Sequence, residues 1–293
     1  MEASIQPTVE RVEDVSSSSA QAVSSVASIE RVYRHRLPVR ISHWLNVPFL
    51  IILIMSGLQI FNAHPALYWG DRSDHDQALL SIRSVQTESG ALKGITTILG
   101  HQLETTGVLG YSNGMRRAFP DWATIPSAKW LAMGRQWHLF FAWLFVSNGL
   151  VFTAYAFASR HATRDLAPTR KDLRSIGRSI KEHLILRHPT GDATKRYNVL
   201  QKLTYAAVLF ILGPLIVFTG LAMSPTIDTV FPSLVAMLGG RQAARTIHFV
   251  ACFSFVGFIL IHIIHVILTG FVNNIRSMVT GWFIVKHVKR HGQ

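Results

Sequence analysis

Four long stretches without a charged residue limit what this chain can fold into. They cover residues 41–70, 136–159, 203–227 and 246–275, and each is at least 24 residues long. A helix needs about 20 consecutive apolar residues to cross the hydrocarbon core of a bilayer. Because 49% of the 293 residues are hydrophobic and only 15% are charged, too little polar surface remains to bury four such helices in a soluble globule. The sequence therefore predicts an integral membrane protein.

The positive charge of the chain is distributed unevenly between these stretches. The formal net charge is +13, and residues 159–197 hold ten Lys or Arg against four acidic residues, whereas residues 63–129 hold six of each. Since Lys and Arg concentrate in cytoplasmic loops, we expect both termini and the second connection to be cytoplasmic and the first connection to lie outside. The excess charge is then a topology signal and a contact with lipid headgroups, and we expect no nucleic-acid partner.

The predicted organisation is one membrane domain between two tails. The serine-rich N-terminal segment is expected to be a disordered cytoplasmic tail. Apolar residues at helical spacing among the basic residues of the second connection predict an amphipathic helix on the membrane surface. The predicted fold class is all-α, a four-transmembrane-helix bundle with a long extracytoplasmic loop and this cytoplasmic amphipathic helix. The predicted bounds are 1–30 and 286–293 for the tails, 31–285 for the membrane domain, about 41–62, 136–159, 203–224 and 246–271 for the spans, 63–129 for the outer loop and 160–197 for the cytoplasmic connection.

Five of the 14 histidines lie in or at the ends of the apolar stretches, where an ionisable ring needs a partner. They are His43, His138, His248, His262 and His265. The alternating direction of the spans places His138 and His248 at the outer ends of their helices. His262 is 14 residues, or about 21 Å of helix, deeper than His248, which is the level of His43. We therefore predict two pairs, His138 with His248 and His43 with His262, and His265 is a spare residue that could contact the inner site.

Paired imidazoles at two depths are typical of haem iron that has two axial histidines. Zinc takes three or four protein ligands, and no carboxylate or thiolate accompanies either pair. The chain has one cysteine, Cys252, and no C-x-x-C-H motif, so covalent attachment is excluded. The sequence thus predicts two noncovalent b-type haems inside the bundle. Their iron ligands would be His43, His138, His248 and His262.

Three arginines and two glycines fit the same hypothesis. Arg40, Arg135 and Arg245 each precede a predicted ligand by three residues, where a guanidinium could bind a haem propionate; snorkelling to the membrane interface is the alternative. Gly57 and Gly149 lie near the face of the ligand on their own helix and at the depth of the other haem. They predict clearance for that haem, and small-residue helix packing is the alternative.

Several motifs resemble those of a known family. They are Arg40-x-x-His43-Trp44, Arg135-x-x-His138, Arg245-x-x-His248, Tyr197-Asn198-x-x-Gln201-Lys202, Thr219-Gly220-Leu221-Ala222-Met223-Ser224-Pro225 and Asn274-x-Arg276-Ser277-Met278-x-x-Gly281-Trp282. Over roughly residues 31–285 the chain resembles the di-haem cytochrome b subunits of membrane oxidoreductases. These include nickel-iron hydrogenase b-type cytochromes, thiosulfate reductase cytochrome b and the gamma subunit of formate dehydrogenase.

The resemblance has implications for the ligands and the partners. It implies iron ligands on the first, second and fourth spans with two on the fourth, which are His43, His138, His248 and His262. It also implies an extracytoplasmic catalytic redox subunit and exchange of quinone or quinol near the inner haem. The segment from Asn274 is most similar to that of members paired with molybdopterin-containing oxidoreductases.

We therefore predict an electron-transfer subunit of the bacterial inner membrane rather than a complete enzyme. It would carry electrons between the quinone pool and an outer subunit of a molybdopterin or hydrogenase type. One alternative is a stand-alone transmembrane haem reductase of a soluble acceptor, and another is a proton transporter that uses the histidines as a relay. A relay needs a polar path, yet Phe253, Phe255 and Phe258 occupy the levels between the two pairs. A purely structural anchor would not explain the matched depths.

Overall fold

A computed structural model describes residues 27–160, 177 and 199–288. Over these residues long helices alternate with strands and short helices. The helices, in chain order, are α1 (Leu37–Phe61), α2 (Leu131–Ala158), α3 (Val199–Ala207), α4 (Gly213–Ala222), α5 (Pro225–Val230), α6 (Pro232–Met237), α7 (Arg241–Leu268) and α8 (Phe271–Thr280). The strands are β1 (Ala27–Tyr33), β2 (Ala66–Leu67), β3 (Leu80–Gln86), β4 (Leu92–Ile98), β5 (His101–Glu104), β6 (Gly110–Ser112), β7 (Met115–Arg117) and β8 (Trp282–Val288).

Four helices among the described residues are long and apolar enough to cross a membrane. They are α1, α2, the segment Lys202–Ala222 and α7. The helices α1, α2 and α7 begin four or five residues before the predicted spans. The prediction placed the start after the last charge, but Arg40, Arg135 and Arg245 lie within the first turns of their helices, where a long side chain can reach the interface.

The third span contains a π-helical turn, Val208–Leu212, between α3 and α4. Pro214 follows this turn at the start of α4. Proline has no backbone N–H and its ring clashes with the carbonyl four residues earlier. The wider π-helical turn opens the backbone at this point and lets the helix continue.

The all-α prediction is wrong outside the spans. In the first connection, β2, β3, β4 and β5 form an antiparallel sheet in that order, and β6 pairs with β7. Leu80 lies opposite Ile98 and Gln86 opposite Leu92, so a short turn joins β3 and β4. Alternating Ile, Val and Thr residues favour strands here because β-branched side chains pack well on a pleated sheet. The prediction considered only helical spacing and missed this signal.

The two predicted tails also contribute a β-ribbon. β1 pairs antiparallel with β8, with Ala27 opposite Val288 and Tyr33 opposite Trp282. Residues 27–30 and 286–288, which were assigned to the tails, therefore form strands, and their ladder hydrogen bonds hold them in place. The predicted amphipathic helix lies in the connection 160–197, of which the structure describes only Arg160 and Gly177.

Buried polar contacts fix the first connection to the end of α1. Arg117 donates through Nε to the carbonyl of Phe119 at 2.7 Å, through Nη1 to that of Ser127 at 2.7 Å, and through Nη2 to Thr124 Oγ1 at 2.7 Å and Gln59 Oε1 at 3.2 Å. An apolar cluster lies beside this network. Its buried members are Phe61, Leu67, Ile82, Ala118 and Phe119.

The same connection caps the N-terminus of α7. The backbone N–H groups of Gln242 and Ala243 both donate to the carbonyl of Gly70 at 3.0 Å, and that of Arg241 donates to Asp71 Oδ1 at 3.2 Å. The first N–H groups of a helix have no partner within the helix, and a carboxylate there is favoured by the helix dipole. The loop therefore determines where α7 begins.

The described residues divide into two compact units. One contains residues 27–43, 152–160, 199–206 and 259–288, and the other contains residues 44–151 and 207–258. Each unit contains one end of α1, α2 and α7.

Candidate functional site

The first histidine pair lies in the unit formed by residues 44–151 and 207–258. α2 positions His138 and α7 positions His248. Their ring centres are 6.2 Å apart and their ring planes are inclined by 65°. The structure thus brings these two rings together as the sequence predicted.

The second pair lies in the other unit. α1 positions His43 and α7 positions His262. These ring centres are also 6.2 Å apart, with an angle of 59° between the planes. His265 is one turn further along α7, and its backbone carbonyl accepts a hydrogen bond from Thr269 Oγ1 at 2.7 Å. Opposite His43 the structure therefore places His262, the residue expected from the helical angle.

This spacing fits a metal ion held between two imidazoles. Two metal–nitrogen bonds of about 2 Å, each followed by roughly 1.1 Å from the nitrogen to the ring centre, separate the ring centres by about 6 Å. Parallel rings in direct stacking would lie closer, whereas inclined rings in edge contact can also lie at this distance. Among residues 27–160 and 199–288, no group of three or more His, Cys, Asp or Glu could hold a metal ion. Two-histidine sites of this kind suit the iron of haem, whose porphyrin supplies the remaining ligands.

The His138 ring is held by residues of α1. Its Nδ1 is 3.1 Å from Ser56 Oγ and 3.1 Å from the carbonyl oxygen of Leu53. Ser56 is fully buried, and its hydroxyl donates to the carbonyl of Ile52 at 2.6 Å. A Cβ atom added to Gly57 would lie 3.4 Å from Cε1 of the ring. Gly57 therefore lies against a histidine ring, and the predicted clearance for a haem stays a prediction.

The His248 ring is held in the same way by α4. Its Nδ1 is 3.0 Å from Thr219 Oγ1, and the backbone of Ile216 is a second hydrogen-bond partner. Thr219 is fully buried, and its hydroxyl donates to the carbonyl of Leu215 at 2.7 Å. A Cβ atom added to Gly220 would again lie 3.4 Å from Cε1 of the ring.

The other predicted site residues have different surroundings. The guanidinium of Arg245 donates to the carbonyl of His64 and lies over the ring of Phe61, 5.5 Å from its centre. Arg40 donates to the carbonyl of Val279, near the end of α8. Arg135 is exposed on the first turn of α2. A propionate contact for these three arginines stays a prediction.

Among the residues that the structure describes, none comes within 4 Å of a Cβ atom added to Gly149. This space is compatible with the predicted clearance, which also stays a prediction. Sequence reasoning missed the roles of Ser56, Thr219 and Gly220. Their signal is a hydroxyl residue followed by glycine, which also occurs at Thr269–Gly270, and only the structure shows that Ser56–Gly57 and Thr219–Gly220 lie against histidine rings.

Comparison with known proteins identifies the family. Residues 34–281 match the model of the family described as prokaryotic cytochrome b561. The chain is also 26% identical over 229 residues to a protein of Azospira oryzae whose provisional name is protein-methionine-sulfoxide reductase subunit YedZ1, with 77% of this chain and 85% of the relative covered. No solved structure matches the chain. The protein therefore belongs to the prokaryotic cytochrome b561 family and is an integral membrane protein that binds b-type haem and transfers electrons.

Proposed function

We propose that this protein carries electrons across the bacterial inner membrane through two b-type haems, each held by two histidines. His138 and His248 would bind one haem, and His43 and His262 the other. The electrons would pass between the quinone pool and a catalytic redox subunit outside the membrane. The proposal follows the predicted topology, in which both termini are cytoplasmic and the connection 63–129 is extracytoplasmic.

One observation carries the proposal. Two separate histidine pairs have the same distance of 6.2 Å between ring centres, and the members on α7 are 14 residues apart. The rings of His64 and His75 lie at a similar distance of 6.0 Å in the first connection, so the distance alone does not carry the argument. The two proposed pairs differ because each lies within apolar spans, where an ionisable ring needs a partner, and because each has one member on α7. The same coincidence in both pairs supports a common role.

The residues of the chain would bind and orient the cofactor. Bound haem supplies reversible one-electron chemistry at its iron. The imidazoles of each pair would hold the iron, and the apolar spans would exclude water around them. Arg40, Arg135 and Arg245 are the candidates for charge compensation at the propionates.

The partner is proposed from two sources. The resemblance to di-haem cytochrome b subunits supports an outer subunit of a molybdopterin or hydrogenase type. The relative from Azospira oryzae is named as a subunit of protein-methionine-sulfoxide reductase. A catalytic reductase subunit docked on the outer side is consistent with both, and the haem pair nearer the cytoplasm would then exchange electrons with quinone.

A visible difference spectrum of the purified protein, reduced minus oxidised, tests this function together with haem quantification. We expect a b-type spectrum and two haems per chain. His262→Ala should remove one haem, whereas the matched variant His265→Ala should retain both, because the ring opposite His43 is that of His262. One haem per chain, or loss of a haem in His265→Ala alone, would contradict the proposed pairing.

A further inference from the structure

We propose that Ser56–Gly57 and Thr219–Gly220 are two matched seats that fix the tautomer and the ring orientation of His138 and His248. Through these ligands the seats would set the reduction potential of the haem bound between them. This inference rests on the proposed function, because it assumes that the two histidines bind haem iron. Ser56, Gly57, Thr219 and Gly220 are positioning residues, since each contacts an imidazole and not the iron.

The carbonyl groups in the seats determine the tautomer. A backbone carbonyl only accepts hydrogen bonds, so the contact of 3.1 Å between Leu53 and His138 requires a hydrogen on Nδ1. A neutral imidazole has one N–H, and therefore Nε2 keeps the lone pair that a metal ion needs. At His248 the hydroxyl of Thr219 donates to the carbonyl of Leu215, so it accepts from Nδ1, which must carry the hydrogen here too. Both rings are thus prepared to bind through Nε2.

The hydroxyl groups are oriented as acceptors. Ser56 Oγ is 2.6 Å from the carbonyl oxygen of Ile52, and Thr219 Oγ1 is 2.7 Å from that of Leu215. In a helix, serine and threonine often donate to the carbonyl four residues earlier. Since a hydroxyl has one hydrogen, that bond leaves an oxygen lone pair facing Nδ1. The Nδ1–H of His138 is therefore shared between a hydroxyl and a carbonyl oxygen, and that of His248 is directed at the hydroxyl of Thr219.

The glycines allow the ring to approach the helix. At Gly57 and Gly220 a Cβ atom would be 3.4 Å from Cε1 of the respective ring, which is at the edge of an ordinary contact. The arrangement is repeated on α1 and α4, with the hydroxyl residue, the following glycine and the carbonyls at the same offsets. The repetition at both members of one pair indicates a common function rather than incidental packing.

The seats have a consequence for redox chemistry. A hydrogen bond from the second nitrogen of a ligating histidine fixes the ring and raises its basicity as a ligand. A more basic ligand favours ferric over ferrous iron, so removal of an acceptor should raise the reduction potential of that haem. The other haem should keep its potential, because the seats contact only His138 and His248.

Thr219→Val tests the inference because it removes the hydroxyl and keeps the branched shape, whereas Thr219→Ser keeps the hydroxyl. The measurement is a redox titration of the visible spectrum of the haem-loaded protein. We expect the preference for ferric iron to be about tenfold weaker in Thr219→Val, which corresponds to an upward shift of about 59 mV in the reduction potential of one haem. In Thr219→Ser the potential should be near that of the wild type.

Thr204→Val is the matched control, since the hydroxyl of Thr204 also donates to the carbonyl four residues earlier, that of Leu200 at 2.7 Å.

Ser56→Ala is an independent second test of the inference. Its control is Ser254→Ala on α7, whose hydroxyl donates to the carbonyl of Val250 at 2.9 Å. Ser56→Ala should raise the potential of the same haem as Thr219→Val, because the two seats hold the two ligands of one iron. Ser254→Ala should leave both potentials unchanged.

The possible outcomes separate this inference from the proposed function. If the wild-type protein lacks a b-type spectrum, the proposed function fails and the inference fails with it. If Thr219→Val retains both haems at wild-type potentials, only the inference is overturned. Loss of one haem in Thr219→Val but not in Thr219→Ser supports the seat, whereas loss in both variants would assign Thr219 a packing role and overturn the inference.

Discussion

His64 follows the end of α1 and lies among other polar groups of the first connection, residues 63–129, which is the predicted outer connection. Its ring centre is 6.0 Å from that of His75, and its carbonyl accepts a hydrogen bond from Arg245. His75 Nδ1 is in turn 3.0 Å from the hydroxyl of Tyr68. Burial, followed by the positive charges of Arg245 and His75, lowers the pKa of His64 below its ordinary value of 6.5. The folded chain therefore disfavours the protonated ring.

We predict that the outer connection becomes less stable as the pH falls below about 6.5. Below this pH His64 is protonated more readily in the unfolded chain than in the folded chain. The neutral ring therefore stabilises the folded chain above about pH 6.5, and this contribution is lost as the pH falls. Thermal unfolding of the detergent-solubilised protein between pH 5 and pH 8 measures the effect. His64→Gln should show a shallower decline in melting temperature than the wild type.

The exposed residue His101 on β5 supplies the control for this comparison. His101→Gln should follow the wild-type curve, since His101 is exposed, whereas His64 is half-buried and lies beside Tyr68 and His75. The prediction is contradicted if His64→Gln and the wild type lose melting temperature equally between pH 7 and pH 5.

At the scale of elements, the outer connection is held to the spans by polar contacts at its two ends. Arg117 joins the loop to the last turns of α1 through Gln59, and Asn62 adds bonds to the backbone of Phe119 at 2.7 and 3.3 Å. At the other contact, Gly240 has a φ of +107°, and a Cβ atom there would lie 2.6 Å from the carbonyl carbon of Gly70. Only glycine allows the loop to approach the start of α7 this closely.

We predict that Arg117→Met loosens the outer connection. The variant leaves the buried oxygens of Thr124 and Gln59 without the Arg117 donor and removes one of the two donors to the carbonyl of Phe119, which costs roughly 3 kcal/mol. Because 1.4 kcal/mol is a factor of ten in an equilibrium constant, the open form of the loop should become about 100-fold more populated. The rate of limited proteolysis within residues 63–129 measures this population.

Arg116→Met is the matched control, since Arg116 is the exposed neighbour of the buried Arg117 on β7. Its rate of cleavage should equal that of the wild type. Equal rates for both variants would show that the guanidinium of Arg117 does not hold the loop.

At the scale of the whole molecule, the positions of residues that depend on spacing along one helix were predictable. Hydropathy located the four spans, and helical geometry chose His262 over His265 as the residue opposite His43. The roles of Ser56 and Thr219 were not predictable, because they depend on which face of α1 meets α2 and which face of α4 meets α7. Uniformly apolar helices carry no periodic signal that fixes these faces.

The sequence predicted where the outer connection lies along the chain but not the strands that it forms. Its strands depend on pairing between segments such as β3 and β4, and strand pairing is more context-dependent than helix formation. Arg117 was counted as one surface charge among six basic residues of the loop, but the fold buries it. Composition could not show this, since a buried arginine is identified by its acceptors and these come from distant parts of the chain.

The last prediction concerns the side of the membrane on which each connection lies. The single cysteine, Cys252, can be removed as Cys252→Ala to give a cysteine-free background. In this background Ser89→Cys places a thiol on the exposed turn between β3 and β4, and Ser175→Cys places one in the basic connection 160–197. Because basic connections stay in the cytoplasm, a membrane-impermeant thiol reagent should label Ser89→Cys in intact spheroplasts and Ser175→Cys only after the membrane is permeabilised. The opposite labelling would place the outer connection in the cytoplasm, and an extracytoplasmic partner subunit could then not dock on it.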